Sequence, residues 1–166
     1  MRARARAAER RTRPGRIEVT RRTRRKAPED RELRRIARAA LEFGNQPGAS
    51  LSLVLLDDRA LARLHGRWMG DPSRTDVITF DLREPGIPEA PAGPMGELCI
   101  SVECARREAR RRGVRVEREL ALYVVHGVLH LCGFDDRTAR QRREMRAAER
   151  RVLARLGFED DPTPFE

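Results

Sequence analysis

The sequence predicts a single α+β domain, α/β-like in its alternation, with one small mixed β-sheet flanked by helices and one helix inside the core. Three observations lead there. Short alternating or β-branched apolar runs interleave with segments of helical periodicity, and the connections are long enough for parallel pairing. At 166 residues and 19.0 kDa the chain has the size of one domain with one proper core. Its most apolar stretch, Leu120–Phe134 (LALYVVHGVLHLCGF), is a helix that has to be packed on several sides.

In chain order, Ile17-Glu18-Val19-Thr20 alternates and reads as a short strand. Pro28-Glu29-Asp30 opens a helix with Leu33, Ile36, Ala37, Ala40 and Leu41 at helical spacing, closed by Gly44. Ser50 to Leu56 is apolar, strand-like and bounded by Asp57-Asp58. The next helix places Leu61, Leu64 and Trp68 on one face, and the β-branched run from Thr75 to Phe80 is a further strand. Residues 84–95 hold four prolines and two glycines and form a loop rather than a domain boundary. Leu98 to Val102 resumes as a strand, followed by an arginine-rich helix from about Glu103 to Arg112 that ends at Gly113. Residues 116–131 form the apolar helix, and a last helix from Thr138 to Leu156 turns Met145, Ala148, Val152 and Leu156 inward before Gly157.

The formal charge of +10 suggests a polyanion partner, but it is unevenly placed. Residues 1–26 carry 12 Lys+Arg against 2 Asp+Glu, so the remaining 140 residues are neutral overall. The reading is a basic N-terminal arm over 1–26, a main folded domain over 27–157 whose first strand begins near 17, and a tail over 158–166. Arg11 and Arg13, just before Pro14-Gly15, are candidate contacts to a phosphate backbone. A dispensable extension, a mis-assigned start or an organellar transit peptide are the competing readings of the arm. No run approaches eighteen apolar residues, and no secretory apolar stretch opens the chain, so no membrane role and a cytoplasmic location are expected. Cys99, Cys104 and Cys132 are odd in number and lack CxxC spacing, which suits a reducing compartment.

His126 and His130 are the most informative pair. A spacing of four puts both imidazoles on one helix face, where they can share one metal ion. Gly133 is a natural helix stop, so Phe134-Asp135-Asp136 turns back and can return a third ligand. Two histidines and a carboxylate leave a tetrahedral zinc one open position, the arrangement of a catalytic site, in which the pKa of bound water falls from about 15.7 towards about 7. A lone histidine on an apolar helix is more often a satisfied core residue, but two of the chain's three sit here at ligand spacing, and burying both without partners is costly. Cys132 lies about 200° round the helix from His130 and reads as packing. A peptidase helix of the H-E-x-x-H type needs a glutamate where this chain has Gly127, which weighs against a zinc metallopeptidase.

From His126 to Asp136 the sequence, HGVLHLCGFDD, resembles the YbeY family of metal-dependent endoribonucleases, whose pattern runs H-G-x-L-H-L-x-G-Y-D-H. The resemblance extends from about Ile17 to Gly157, through Thr75-Asp76-Val77-Ile78-Thr79-Phe80, Gly96-Glu97, and Ala105 with Glu108-Ala109. It implies a single-strand-specific endoribonuclease acting in maturation of the small-subunit rRNA 3′ end and in ribosome quality control, with ribosomal RNA and the small subunit as partners. It also implies one metal per chain, zinc or another divalent ion, on His126, His130 and Asp136. Asp136 stands where the family has a third histidine, and a harder oxygen ligand widens the choice of metal. Met69 stands where many members have an arginine, so Arg67 and Arg74 become the candidates for phosphate contact and for catalysis, with a solvated surface role as the alternative. Asp135 is a further catalytic candidate by proximity, although an Asp after a helix stop more often ties down a turn. His65 is a rival third ligand. A non-catalytic, ribosome-associated RNA-binding factor with a structural metal is the alternative function.

Overall fold

The computed structural model describes residues 15–83 and 94–158. Five helices and four strands alternate: β1 (Ile17–Arg21), α1 (Asp30–Phe43), β2 (Leu51–Leu56), α2 (Asp58–Met69), β3 (Val77–Asp81), β4 (Gly96–Ser101), α3 (Val102–Arg112), α4 (Val116–Leu131) and α5 (Ala139–Arg155). The domain is α+β with one small mixed sheet in the order β1-β2-β4-β3. β1, β2 and β4 run parallel, and β3 pairs antiparallel on the outer edge of β4. The first strand therefore lies inside the segment assigned to the basic arm, while Arg11, Arg13 and most of the proline-rich loop lie outside the described residues. Among the described residues, no helix is long and apolar enough to cross a membrane.

The pleat sorts the side chains into two cores. Leu53 and Leu55 of β2 pair in register with Leu98 and Ile100 of β4, and all four point into the main core with α1, α4 and α5. The opposite face carries Ile78 and Cys99, covered by Leu61 of α2. Between the layers, Ser101 ends β4 and begins α3. Its Oγ accepts from the Cys104 amide at 3.0 Å as an N-cap and donates to Asp58 Oδ1 at 2.5 Å, joining the starts of α3 and α2.

Leu33, Ile36, Ala37, Ala40 and Leu41 are buried on α1 as the periodicity predicts. One helix reading needs adjustment. Trp68 does not share the burial of Leu61: it is 61% exposed and rests edge-on against Phe80 of the edge strand, 5.9 Å between ring centres. Gly44 caps α1 as the sequence predicts, and Asn45 after it takes the left-handed conformation, with φ of 58°. Gly44 is needed for space, because a Cβ there would lie 2.3 Å from Cys132 Sγ. That contact confirms Cys132 as a packing residue.

α4 is the central helix. Leu120, Val124, Val125, Val128 and Leu129 are fully buried, with the helix packed on the sheet and flanked by α1, α3 and α5. Gly127 makes the close approach to the sheet: a Cβ there would meet Leu98 at 2.6 Å and Thr79 Oγ1 at 2.9 Å. A glutamate side chain cannot occupy position 127 in this packing.

Candidate metal centre

Both histidines are partly exposed and lie with Leu122 on the half-open stripe of α4, a helix largely buried beyond its first turn. The helix then ends in a Schellman motif. Gly133 takes φ of 97°, its amide donates to the His130 carbonyl at 3.0 Å, and the Phe134 amide donates to the Leu129 carbonyl at 3.0 Å. Phe134 packs beside Phe43 at 6.2 Å, and this anchor reverses the chain so that Asp136 faces the helix it has just left. The reversal is held from the far side by the capping box of Thr138 and Gln141 at the start of α5, and by Arg142, whose Nη1 donates to the Asp136 carbonyl at 3.2 Å.

Three side chains converge as a result. His126 Nε2 and His130 Nε2 are 3.0 Å apart, and Asp136 Oδ2 is 3.8 Å from the first and 3.6 Å from the second. Metal–ligand bonds of about 2.0–2.1 Å in a tetrahedron give ligand separations of about 3.3–3.4 Å, so the three atoms already stand near the vertices of such a site. Among the described residues this is the group of His, Cys, Asp and Glu able to hold a metal ion. Two imidazole nitrogens this close need a hydrogen or a metal ion between them: without an ion, one ring's N–H donates to the other's lone pair.

The tautomer of His126 is set by a residue that the sequence did not single out. Glu149 Oε1 on α5 lies 2.6 Å from His126 Nδ1, and the Glu149 side chain is 13% exposed. Nδ1–H donates to the carboxylate, leaving the Nε2 lone pair directed at His130 and Asp136. Burial works against charging His126, but the hydrogen bond and charge of Glu149, with Asp136 and Asp76 adding to them, outweigh it and hold the imidazole pKa above its ordinary value. Asp76 was also not singled out. It heads β3, accepts from the Val77 amide at 2.7 Å, and lines the cleft together with both histidines.

That cleft, of about 680 Å³, runs between the start of β3, the end of α2 and the 135–137 turn. Comparison with known proteins shows where such a centre belongs. The family model described as "Endoribonuclease YbeY" matches residues 18–157. The chain belongs to the YbeY family. The Endoribonuclease YbeY of Mycolicibacterium smegmatis is 43% identical over 129 residues, covering 74% of this chain and 72% of that protein. That of Kineococcus radiotolerans is 37% identical over 142 residues, 80% of this chain and 82% of the relative. A solution structure from Thermotoga maritima shares the fold, with a TM-score of 0.57 at 21% identity over 90% of this chain and 99% of that one.

The remaining sequence candidates in this YbeY-family chain fall in different places. Asp135 Oδ1 accepts from the Asp136 amide at 2.8 Å and its Oδ2 is 3.3 Å from Arg137 Nε, so it ties down the turn that presents Asp136. His65 and Met69 line the cleft, but His65 Nδ1 is 3.2 Å from the Ser73 carbonyl and the residue stands outside the three-ligand group. Arg67 lies over the Trp68 ring at 5.8 Å and faces a separate cavity with Arg22 and Arg63. The reason is helix phase: two residues turn the side chain about 200° away from Met69. Arg74 lines a third cavity with Arg107 and Arg112, neighbouring Asp76 but not the histidines.

Proposed function

We propose that the protein is a metal-dependent endoribonuclease of ribosomal RNA processing, acting on single-stranded RNA at the 3′ end of the small-subunit rRNA, with one zinc ion on His126, His130 and Asp136. The observation that carries this reading is the convergence of the three ligand atoms within 3.8 Å of one another, with the outer nitrogen of His126 fixed by Glu149. A bound divalent ion supplies Lewis acidity and a nucleophilic water near neutral pH.

The chain's own residues do the rest. Glu149 keeps the proton of His126 on Nδ1, and the Schellman turn with Asp135 holds the Asp136 carboxylate in reach of both imidazoles. Main-core packing of α4 holds the backbone that carries both histidines, and Glu149 orients the His126 ring from behind. The cleft is open enough for a single strand, with Met69 at its mouth and Arg137, paired with Asp135, as the arginine in its lining, so charge on the phosphodiester has to be met by the ion, by Arg137 and by arginines beyond the cleft. The packing at Gly127 speaks against a peptidase, because the helix position for a glutamate base is closed by Leu98 and Thr79. The basic segment 1–26 adds non-specific backbone affinity, with the ribosomal small subunit as the setting and the cytoplasm as the compartment. The free thiols Cys99, Cys104 and Cys132 suit that compartment.

The experiment is cleavage of a small-subunit rRNA precursor by purified protein, before and after chelation and after adding zinc, manganese or magnesium back. Cleavage that vanishes on chelation and returns with one of these ions supports the reading, and the ion that restores it best names the metal. Precursor that stays intact under all conditions contradicts it.

A further inference from the structure

We propose that a second cavity, behind His126 and walled by α4 and α5, is a phosphate subsite that seats a backbone phosphate flanking the one at the metal ligands. The proposal rests on the nuclease reading of the neighbouring site. The cavity has a volume of about 240 Å³ and shares His126, Asp76 and Asp136 with the larger cleft. A strand crossing the ligands therefore has a neighbouring phosphate within reach of it.

Its wall is arginine-rich. Arg142, Arg146 and Arg150 follow one another at four-residue intervals on α5 and form a single stripe about 12 Å long. Arg112 and Arg118 enter from the end of α3 and the start of α4. Asp76, Asp136 and Glu149 also line it, with Glu149 engaged by His126 and Asp136 facing both imidazoles; Arg112 and Arg118 are themselves paired with Glu119, so the α5 stripe supplies the positive charge that faces the cavity. Arg118 is 2% exposed and Arg112 is anchored on Glu119 at 2.7 Å, so these two form a rigid, charge-paired back wall, while Arg142, Arg146 and Arg150 are exposed at the mouth. Arg142 is placed by its own bonds to the carbonyls of Asp136 and Arg137.

A row of guanidinium groups along a small concave site beside the metal ligands favours an anion with several oxygens, and the fork of arginine matches phosphate. The chain has other arginine-lined surfaces, including one on α1 with Arg31 and Arg38, and one on α2 with Arg63 and Arg67. Neither includes a metal ligand. Position relative to the ligands, rather than charge alone, is what singles out the α5 stripe.

The test compares metal-loaded full-length wild type, the Arg146→Gln/Arg150→Gln double variant, and an Arg31→Gln/Arg38→Gln control that removes equal charge elsewhere. The probe is a single-stranded oligodeoxyribonucleotide, which presents the same phosphates without ribose hydroxyls, and affinity is measured across salt concentrations. Each lost contact to a single strand lowers the slope of log affinity against log salt by about 0.7, so the α5 double variant is expected to lose about 1.4 and the control nothing. RNA cleavage in parallel is expected to show a raised KM with kcat and metal content kept. An unchanged slope in the α5 variant, an equal drop in the control, or no binding by wild type overturns the proposal. Should the double variant fail to fold, Arg150→Gln alone decides through an expected drop of about 0.7. Wild type that binds but never cuts RNA refutes the nuclease reading instead, and leaves the subsite to the slopes.

Discussion

Replacing Glu149 by Ala removes the carboxylate that sets the tautomer of His126 while leaving all three ligands in place. The bond it breaks is 2.6 Å long, between groups 13% and 29% exposed, so solvent screens it little. A charge-assisted hydrogen bond of this kind contributes about 1.5–3 kcal/mol. At about 1.4 kcal/mol per decade, this predicts a metal affinity lowered roughly 10- to 100-fold, the size expected for loss of an outer carboxylate on a ligating histidine. Glu149→Gln keeps an acceptor for Nδ1–H and loses only the charge, so its loss should be smaller. The assay is competition with a chromophoric chelator at pH 7. The pH dependence adds a sign. His126 is held above its ordinary pKa, so protons compete with the metal as pH falls through that value, and in Glu149→Gln the competition should begin at lower pH. In metal-free protein the same pair stabilises the fold fully below the unfolded imidazole pKa of about 6.5 and progressively less as pH rises through the raised folded value. The difference in Tm between wild type and Glu149→Gln should therefore narrow from pH 6 to pH 8.5. Equal metal affinity in wild type and Glu149→Ala would refute the role given to this residue.

Two further predictions concern the frame. Gly127→Ala places a methyl group 2.6 Å from Leu98 and 2.9 Å from Thr79 Oγ1, so α4 has to shift; denaturant titration should show a loss of about 1–3 kcal/mol despite the better helix propensity of alanine, with weaker metal binding because both ligands flank the site. Ser101→Ala removes both the N-cap of α3 and the 2.5 Å hydrogen bond to Asp58, and is expected to cost about 1–2 kcal/mol with metal affinity unchanged, since neither helix carries a ligand.

The elements legible in the sequence are those with local signals. The spacing of Leu33, Ile36, Ala37, Ala40 and Leu41 gave α1 its buried face, and the apolar run around His126 and His130 marked α4 as interior. Gly133 signalled the reversal that brings Asp136 back, because the left-handed conformation it takes is readable from residue type. Glu149 was hidden for the opposite reason. It lies 23 residues from His126 on another helix, beside the Met145, Ala148 and Val152 face, and nothing local distinguishes it from the other charged residues of α5. Asp76 was read as part of a strand signal, and only the antiparallel placement of β3 against β4 puts it on the cleft. Arg67 and Arg74 were chosen by nearness in sequence to Met69, which ignores the helix phase that turns Arg67 away. Trp68 looked like a core residue because its spacing from Leu61 fits, yet the edge strand offers only Phe80 beneath it.

A working metal site here depends on Asp136 completing the ligand set of His126 and His130. Metal content by mass spectrometry, paired with cleavage of a small-subunit rRNA precursor, tests it in wild type and Asp136→Ala. One equivalent of metal is expected in wild type, with a marked drop in the variant and loss of cleavage with it. Full metal occupancy and undiminished cleavage in Asp136→Ala would contradict that dependence.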